Sequence, residues 1–153
     1  MTLSAARGTG LLLQRRCPAT LAALGPLLQD VQAALQQGGA TGDALHDLRL
    51  AIEEACVNVV RHAFRDAPAP GDLDLMLERA TLDERPALRV TVCDAGQPFD
   101  PLARAAPDLS AAAEDRAIGG LGVHLIRSLT DRQEYRHDGV HGNCLVLYKH
   151  LAP

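Results

Sequence analysis

Between Leu45 and Ala63, apolar side chains fall at Leu45, Leu48, Ile52, Ala55, Val59 and Ala63. This is one stripe at the three- and four-residue spacing of a helix. Asp43 is placed to cap it, and Ala67-Pro-Ala-Pro-Gly71 stops it just after Phe64. A second stripe, Leu21, Leu24, Leu28, Val31 and Leu35, predicts an earlier helix from Thr20 to about Gln37. Gly25-Pro26 either starts that helix or kinks it, and Gly38-Gly39 ends it. Strand patterns occupy residues 8–16, stopped by Cys17-Pro18, then 72–80, where Leu73, Leu75 and Leu77 alternate with polar or flexible neighbours, and 87–93. Asp83-Glu-Arg-Pro86 supplies the turn between the last two. A third helix is predicted from about Leu121 to Thr130. A closing hairpin, 132–136 with 144–150, turns through Asp138-Gly and Gly142-Asn143.

Residues 97–118 carry Pro98, Pro101 and Pro107 and little pattern, as functional or mobile loops do. The order β-α-α-β-β-loop-α-β-β predicts an α+β fold: a two-layer sandwich of a mostly antiparallel mixed sheet with about three helices on one face.

Composition narrows the function. A chain of 153 residues builds one domain, 1–153, with its own core. A net charge of -4 and fourteen scattered arginines leave no basic footprint for nucleic acid. No apolar run is long enough to span a membrane, and no signal-peptide pattern is present. Cys17, Cys56, Cys93 and Cys144 lie far apart without a C-x-x-C pair, which predicts four reduced thiols in a cytoplasmic protein over a disulfide framework.

Three stretches carry chemistry. At 100° per residue Glu54, Asn58 and Arg61 share one sector of the second helix, opposite its apolar stripe. A bare solvated helix back explains charge there. A neutral amide four residues after a carboxylate adds an oxygen ligand for Mg²⁺, beside a group able to accept a proton from an attacking hydroxyl. Asp94 follows an apolar strand and precedes Ala95-Gly96, a common turn, but also a place where a carboxylate accepts from an exocyclic amine. Gly119-Gly120-Leu121-Gly122 opens the third helix, where free N–H groups bind phosphate. A Walker A loop is excluded because the single lysine is Lys149. G-x-G-x-x-G fails at Leu125, and the eukaryotic-type kinase motifs are absent.

Taken together, Glu54-x-x-x-Asn58-x-x-x-His62-Ala63, Asp94-x-Gly96-x-Pro98-Phe99-Asp100-Pro101 and Gly119-Gly-Leu-Gly-Val-His-Leu-Ile126 resemble the N, G1 and G2 boxes of the GHKL ATP-binding superfamily. More narrowly, they resemble the anti-sigma factor serine kinases of bacterial partner-switching systems. The closing Gly142-Asn143-Cys-Leu-Val-Leu-Tyr-Lys149 is similar to that family's last strand. The resemblance implies the histidine-kinase-like (Bergerat) fold, with ATP and Mg²⁺ as cofactors. It implies Glu54 as general base, Asn58 as Mg²⁺ ligand and Asp94 as reader of the adenine amine, with Gly96 letting the ring approach. Arg61, His62, Phe99, Gly119, Gly120, Leu121, Gly122 and Val123 complete the implied nucleotide site, with His62 ordering it, under an ATP lid at about 97–119.

The implied partners are an anti-anti-sigma protein of the sulfate-transporter/anti-sigma-antagonist type, phosphorylated on serine, and a sigma factor or other regulated target, with a homodimer as the family expectation. Gln97-Pro98-Phe99 departs from the wider superfamily's second G1 glycine. The alternative to a kinase is a nucleotide-dependent module that sequesters its partner without phosphoryl transfer. The remaining residues receive ordinary readings: His137 and His141 flank an exposed turn, His124 is a helix-surface or partner-facing residue, and Cys56 and Cys93 serve as buried small hydrophobes.

Overall fold

In the computed structural model, which describes residues 10–103 and 120–152, Thr20 is extended and its Oγ1 accepts from Ala23 N (3.3 Å), opening helix α1 (Leu21–Gln37). The helix starts before Pro26 and runs through it, giving up the one backbone bond that proline cannot donate. Helix α2 (Gly42–Asn58) begins two residues earlier than a cap at Asp43 predicts. Thr41 holds the N-cap position, and Asp43 lies in the first turn instead, where a carboxylate suits the helix dipole. The expected single helix to Phe64 also changes form: after Asn58 it becomes a π-helical turn, Val59–Ala63.

Five strands follow the expected order, the last four with longer spans and the first shifted toward the C-terminus: β1 (Leu11–Pro18), β2 (Asp72–Leu82), β3 (Arg85–Asp94), β4 (Arg132–Asp138) and β5 (Gly142–His150). Cys17-Pro18 does not stop β1, because that strand lies on the sheet edge and Pro18 pairs with Asp72 at its end, where a missing N–H is tolerated. Only Asp83 and Glu84 form the β2–β3 turn, both at positive φ (52° and 64°), as a two-residue primed turn requires. The sheet order is β1-β2-β3-β5-β4. Every pairing among the described residues is antiparallel, so the sheet is not mixed as expected.

Alternation along the strands decides the layers. Leu73, Leu75 and Leu77, then Leu88, Val90 and Val92, then Leu145 and Leu147 are buried on one face. Against them lie Leu28, Val31 and Leu35 of α1 and Leu48, Ile52, Ala55 and Cys56 of α2. Leu48 and Ile52 are fully buried, each stabilising the fold by about 1.5–3 kcal/mol. Helix α3 (Gly120–Leu129) packs chiefly on α2, with Ile126 as its fully buried anchor. Arg127 donates to the carbonyl of Leu102, in a single 3-10 turn at Pro101–Ala103.

The cysteine expectation is overturned in one pair. Cys93 and Cys144 sit directly opposite each other in the β3–β5 ladder, Cα atoms 4.2 Å apart, and are joined by a disulfide. Fifty-one residues separate them in sequence, so only the strand register brings them together. Cys17 and Cys56 remain thiols, and burial pushes the Cys56 thiol up to about 12.

Candidate functional site

β3 ends at Asp94, and the next five residues are held against the end of the second helix. Gln97 N donates to Ala63 O (2.9 Å) and Gln97 Nε2 to His62 O (3.1 Å). A Cβ at Gly96 would lie 2.1 Å from Ala63 O. The close neighbour that requires glycine here is therefore the backbone of the π-helical turn. Gly142, at φ +70°, meets the same loop from β5: a Cβ there would lie 2.1 Å from Asp94 O.

Asp94 and Asn143 face each other across the last rung of the β3–β5 ladder, 6 % and 4 % exposed. Asp94 Oδ1 accepts from Gly96 N (2.8 Å) and Asn143 Nδ2 (2.9 Å). Oδ2 is thus the carboxylate oxygen left to meet a donor in the cavity. Asn143 Nδ2 also donates to Gln97 O (2.8 Å), and Oδ1 accepts from Phe99 N (3.3 Å) and the Tyr135 hydroxyl, with His137 Nδ1 3.1 Å away. Both Nδ2 partners are pure acceptors, so the amide's orientation is set by its neighbours. Burial raises the Asp94 carboxyl above its ordinary range, while the Asn143 and Gly96 hydrogen bonds and His137 pull the other way.

One cavity joins this rung to the second helix. Its walls include Asn58, Val92, Asp94, Phe99, Tyr135 and Asn143. Its water-sized space is about 30 Å³, room for one water, with Phe99 and Pro101 among its walls. Phe99 stacks on His62 with ring centroids 4.7 Å apart and an interplanar angle of 20°. Arg65 Nη2, a donor only, lies 2.7 Å from His62 Nδ1, so that nitrogen accepts and the ring carries its proton on Nε2.

At the other end stand Glu54 and Asn58. Asn58 is 6 % exposed, not on a solvated helix back, because α3 covers that side of α2. A Cβ at Gly122 would lie 2.8 Å from Glu54 Oε2 and 3.9 Å from Asn58 Oδ1. The first turn of α3, containing Gly120, Leu121 and Gly122, is thereby held over both side chains, with buried Val123 behind it. Arg61 lies in the π-helical turn and is exposed, while its neighbour His62 is buried. Gly119 and lid residues 104–119 lie outside the described residues.

The donor set fits a hard cation. Asn58 Oδ1 and the Glu54 carboxylate face the same glycine, and Asn58 Nδ2 is buried without a hydrogen-bond partner among the described residues. Oxygen donors of this kind suit Mg²⁺, which keeps waters and uses few protein ligands. Sequence reading missed Asn143, Tyr135 and Gln97. Asn143 follows a glycine at a hairpin and reads as turn chemistry; only the register shows it to be a buried amide bonded to Asp94.

Residues 17–149 match the model of the histidine kinase-like ATPase domain. The chain is 32 % identical over 143 residues to the serine-protein kinase RsbW of Halalkalibacterium halodurans, covering 91 % of this chain and 83 % of that one. It is 32 % identical over 119 residues to the RsbW of Listeria monocytogenes, covering 75 % and 71 %. Among solved structures, that of the RsbU and RsbW domains of a Mycobacterium tuberculosis protein shares the fold with a TM-score of 0.58 at 19 % identity. That match spans 92 % of this chain and 33 % of the other, about a third of its length.

Proposed function

This chain belongs to the histidine kinase-like ATPase domain family, and from that premise we propose that it is an ATP-dependent serine-protein kinase and anti-sigma-type switch. Its substrate is a serine on an anti-anti-sigma antagonist, and the protein it sequesters is a sigma factor or another regulated target. The observation that carries the reading is the convergence of three separate segments. Asp94 and Asn58 line one cavity, and Glu54 lies beside Asn58 under the glycine-rich start of α3.

Asp94 Oδ2 accepts the adenine amine, steadied by Asn143, and the N–H groups opening α3 meet the phosphates. Asn58 is the protein ligand for Mg²⁺, which when bound neutralises phosphate charge. Glu54 takes the proton of the serine hydroxyl as its oxygen bonds to the γ-phosphorus and the bond to the β-phosphate oxygen breaks, releasing ADP. His62 orders Phe99 at the cavity mouth. We assign the whole chain to one such domain, with the lid at 97–119, acting in the cytoplasm as a homodimer.

The test is incubation with the candidate antagonist, ATP and Mg²⁺, read by intact mass. The wild type adds one phosphate to the antagonist. Glu54→Ala retains ADP affinity and loses transfer, whereas Asn58→Ala loses the metal-dependent part of binding. A stable complex without phosphate transfer replaces the kinase reading with that of a nucleotide-dependent binding module. Transfer by Glu54→Ala at the wild-type rate removes Glu54 as the base.

A further inference from the structure

We propose that Cys93 and Cys144 form a reversible redox modification site that governs how firmly the base-reading end of the pocket is held. The proposal rests on the nucleotide reading above. Cys93 pairs with Cys144 on the rung directly before Asp94 and Asn143, which is the last rung of the β3–β5 ladder. Past it the chain leaves β3 for the Ala95–Phe99 loop, and β5 begins only at Gly142. Strand alternation points Asp94 and Asn143 into the cavity and the two sulfurs to the helix-free face.

Access and selectivity support a site that cycles. Cys93 is half-buried and borders a surface groove with Gln14, Arg16, Asp74 and Thr91, which gives a small thiol a route to it, while Cys144 is buried. The other two cysteines do not compete. Cys56 is buried with its thiol held high, and burial together with Asp72 and Asp74 also raises Cys17. Neither supplies much thiolate for exchange. In a cytosolic protein a disulfide is as a rule transient or redox-sensing.

In oxidation the two thiols lose two protons and two electrons to a peroxide or a low-molecular-weight disulfide, and the S–S bond forms. In reduction an external thiolate attacks Cys93 Sγ and the Cys144 thiolate leaves. A second external thiolate then resolves the mixed disulfide, freeing Cys93. With the bond closed, the rung beside Asp94 and Asn143 is tied covalently, which restrains opening of the last rung next to it. With it reduced, that strand end is held by hydrogen bonds alone, those of the backbone ladder and those of the Asn143 side chain to Asp94 and Gln97, and strand ends fray. If fraying leaves about one-third of molecules with Asp94 seated, the apparent Kd for nucleotide rises about three-fold.

The experiment titrates Mg²⁺-ADP into the wild type equilibrated with oxidised or reduced glutathione, the state of the pair being read by intact mass. The double variant Cys93→Ser/Cys144→Ser runs in parallel. Oxidised wild type binds about three-fold more tightly than reduced wild type, and the double variant matches the reduced protein in both buffers. Equal affinities for oxidised and reduced wild type overturn the proposal while leaving the nucleotide site standing. A double variant that still follows the buffer assigns the effect to another group and overturns it too. Loss of the far-UV circular dichroism spectrum on reduction makes the bond a structural staple and not a switch. Absence of ADP binding in every form overturns the underlying nucleotide reading, and this proposal with it.

Discussion

Asp94→Asn exchanges one carboxylate oxygen for an NH₂ at a position whose other oxygen is already engaged. Oδ1 continues to accept from Gly96 N and Asn143 Nδ2, so the loop and the last rung keep their bonds. The cavity-facing atom turns from acceptor to donor and meets the adenine amine, also a donor. A hydrogen bond to a charged group contributes about 1.5–3 kcal/mol, so ADP binding should weaken roughly ten- to 150-fold.

The fold should respond in the opposite sense. Burial raises the Asp94 carboxyl above its ordinary value of 3.8. A group with a raised folded-state pKa contributes its stability below pH 3.8 and loses it as pH rises through the raised value. At neutral pH the ionised Asp94 therefore costs stability, and the neutral amide removes that cost. Calorimetric titration with ADP and thermal unfolding between pH 3.5 and 7.5, both rough bounds for the window around that titration, measure the two effects. Asp94→Asn should melt at or above the wild-type temperature at neutral pH, with the difference closing in acid. An unchanged Kd refutes the base-reading role; a clearly lower melting temperature at neutral pH refutes the burial argument.

Other outcomes follow from the same structure. Gly96→Ala drives a Cβ to 2.1 Å from Ala63 O; overpacking of this kind costs about 1–3 kcal/mol or more and should appear in urea unfolding together with weakened ADP binding. Ile52→Ala empties a fully buried position of the helix layer and should cost about 2–5 kcal/mol in the same assay, while an effect well below that range means the core relaxes around it. Asp138 is held down to about 2 by the backbone N–H groups of His141 and Val140. Its contribution to the β4–β5 turn is therefore present above 3.8 and lost as pH falls through about 2, and the amide resonances of Val140 and His141 should shift in that window.

Much of the layer structure was legible because it is local. The Leu45–Ala63 stripe and the Leu73/Leu75/Leu77 alternation come from residues a few positions apart, and backbone geometry alone sets those periods. Glu54, Asn58, Asp94 and the glycines opening α3 were legible as residue types whose chemistry suits a nucleotide, and the resemblance named the family. Errors came where a rule was carried past its range. Extending 100° steps beyond Asn58 did not anticipate the π-helical turn that carries Arg61 and His62. Reading Pro18 as a stop ignored that an edge strand tolerates a missing N–H.

The sequence by itself determined the elements, the face each one buries and the three segments that carry chemistry. It did not determine which residues meet. Asn143 against Asp94, Cys93 against Cys144, and Gly122 over Glu54 depend on pairings across 49, 51 and 68 positions. A shift of one residue in the β3–β5 register reverses the face of every side chain, and no local pattern encodes that register. It is decided by the whole sheet burying its apolar face against α1 and α2 at once. The Asp94–Asn143 pair and the disulfide beside it are therefore products of tertiary structure.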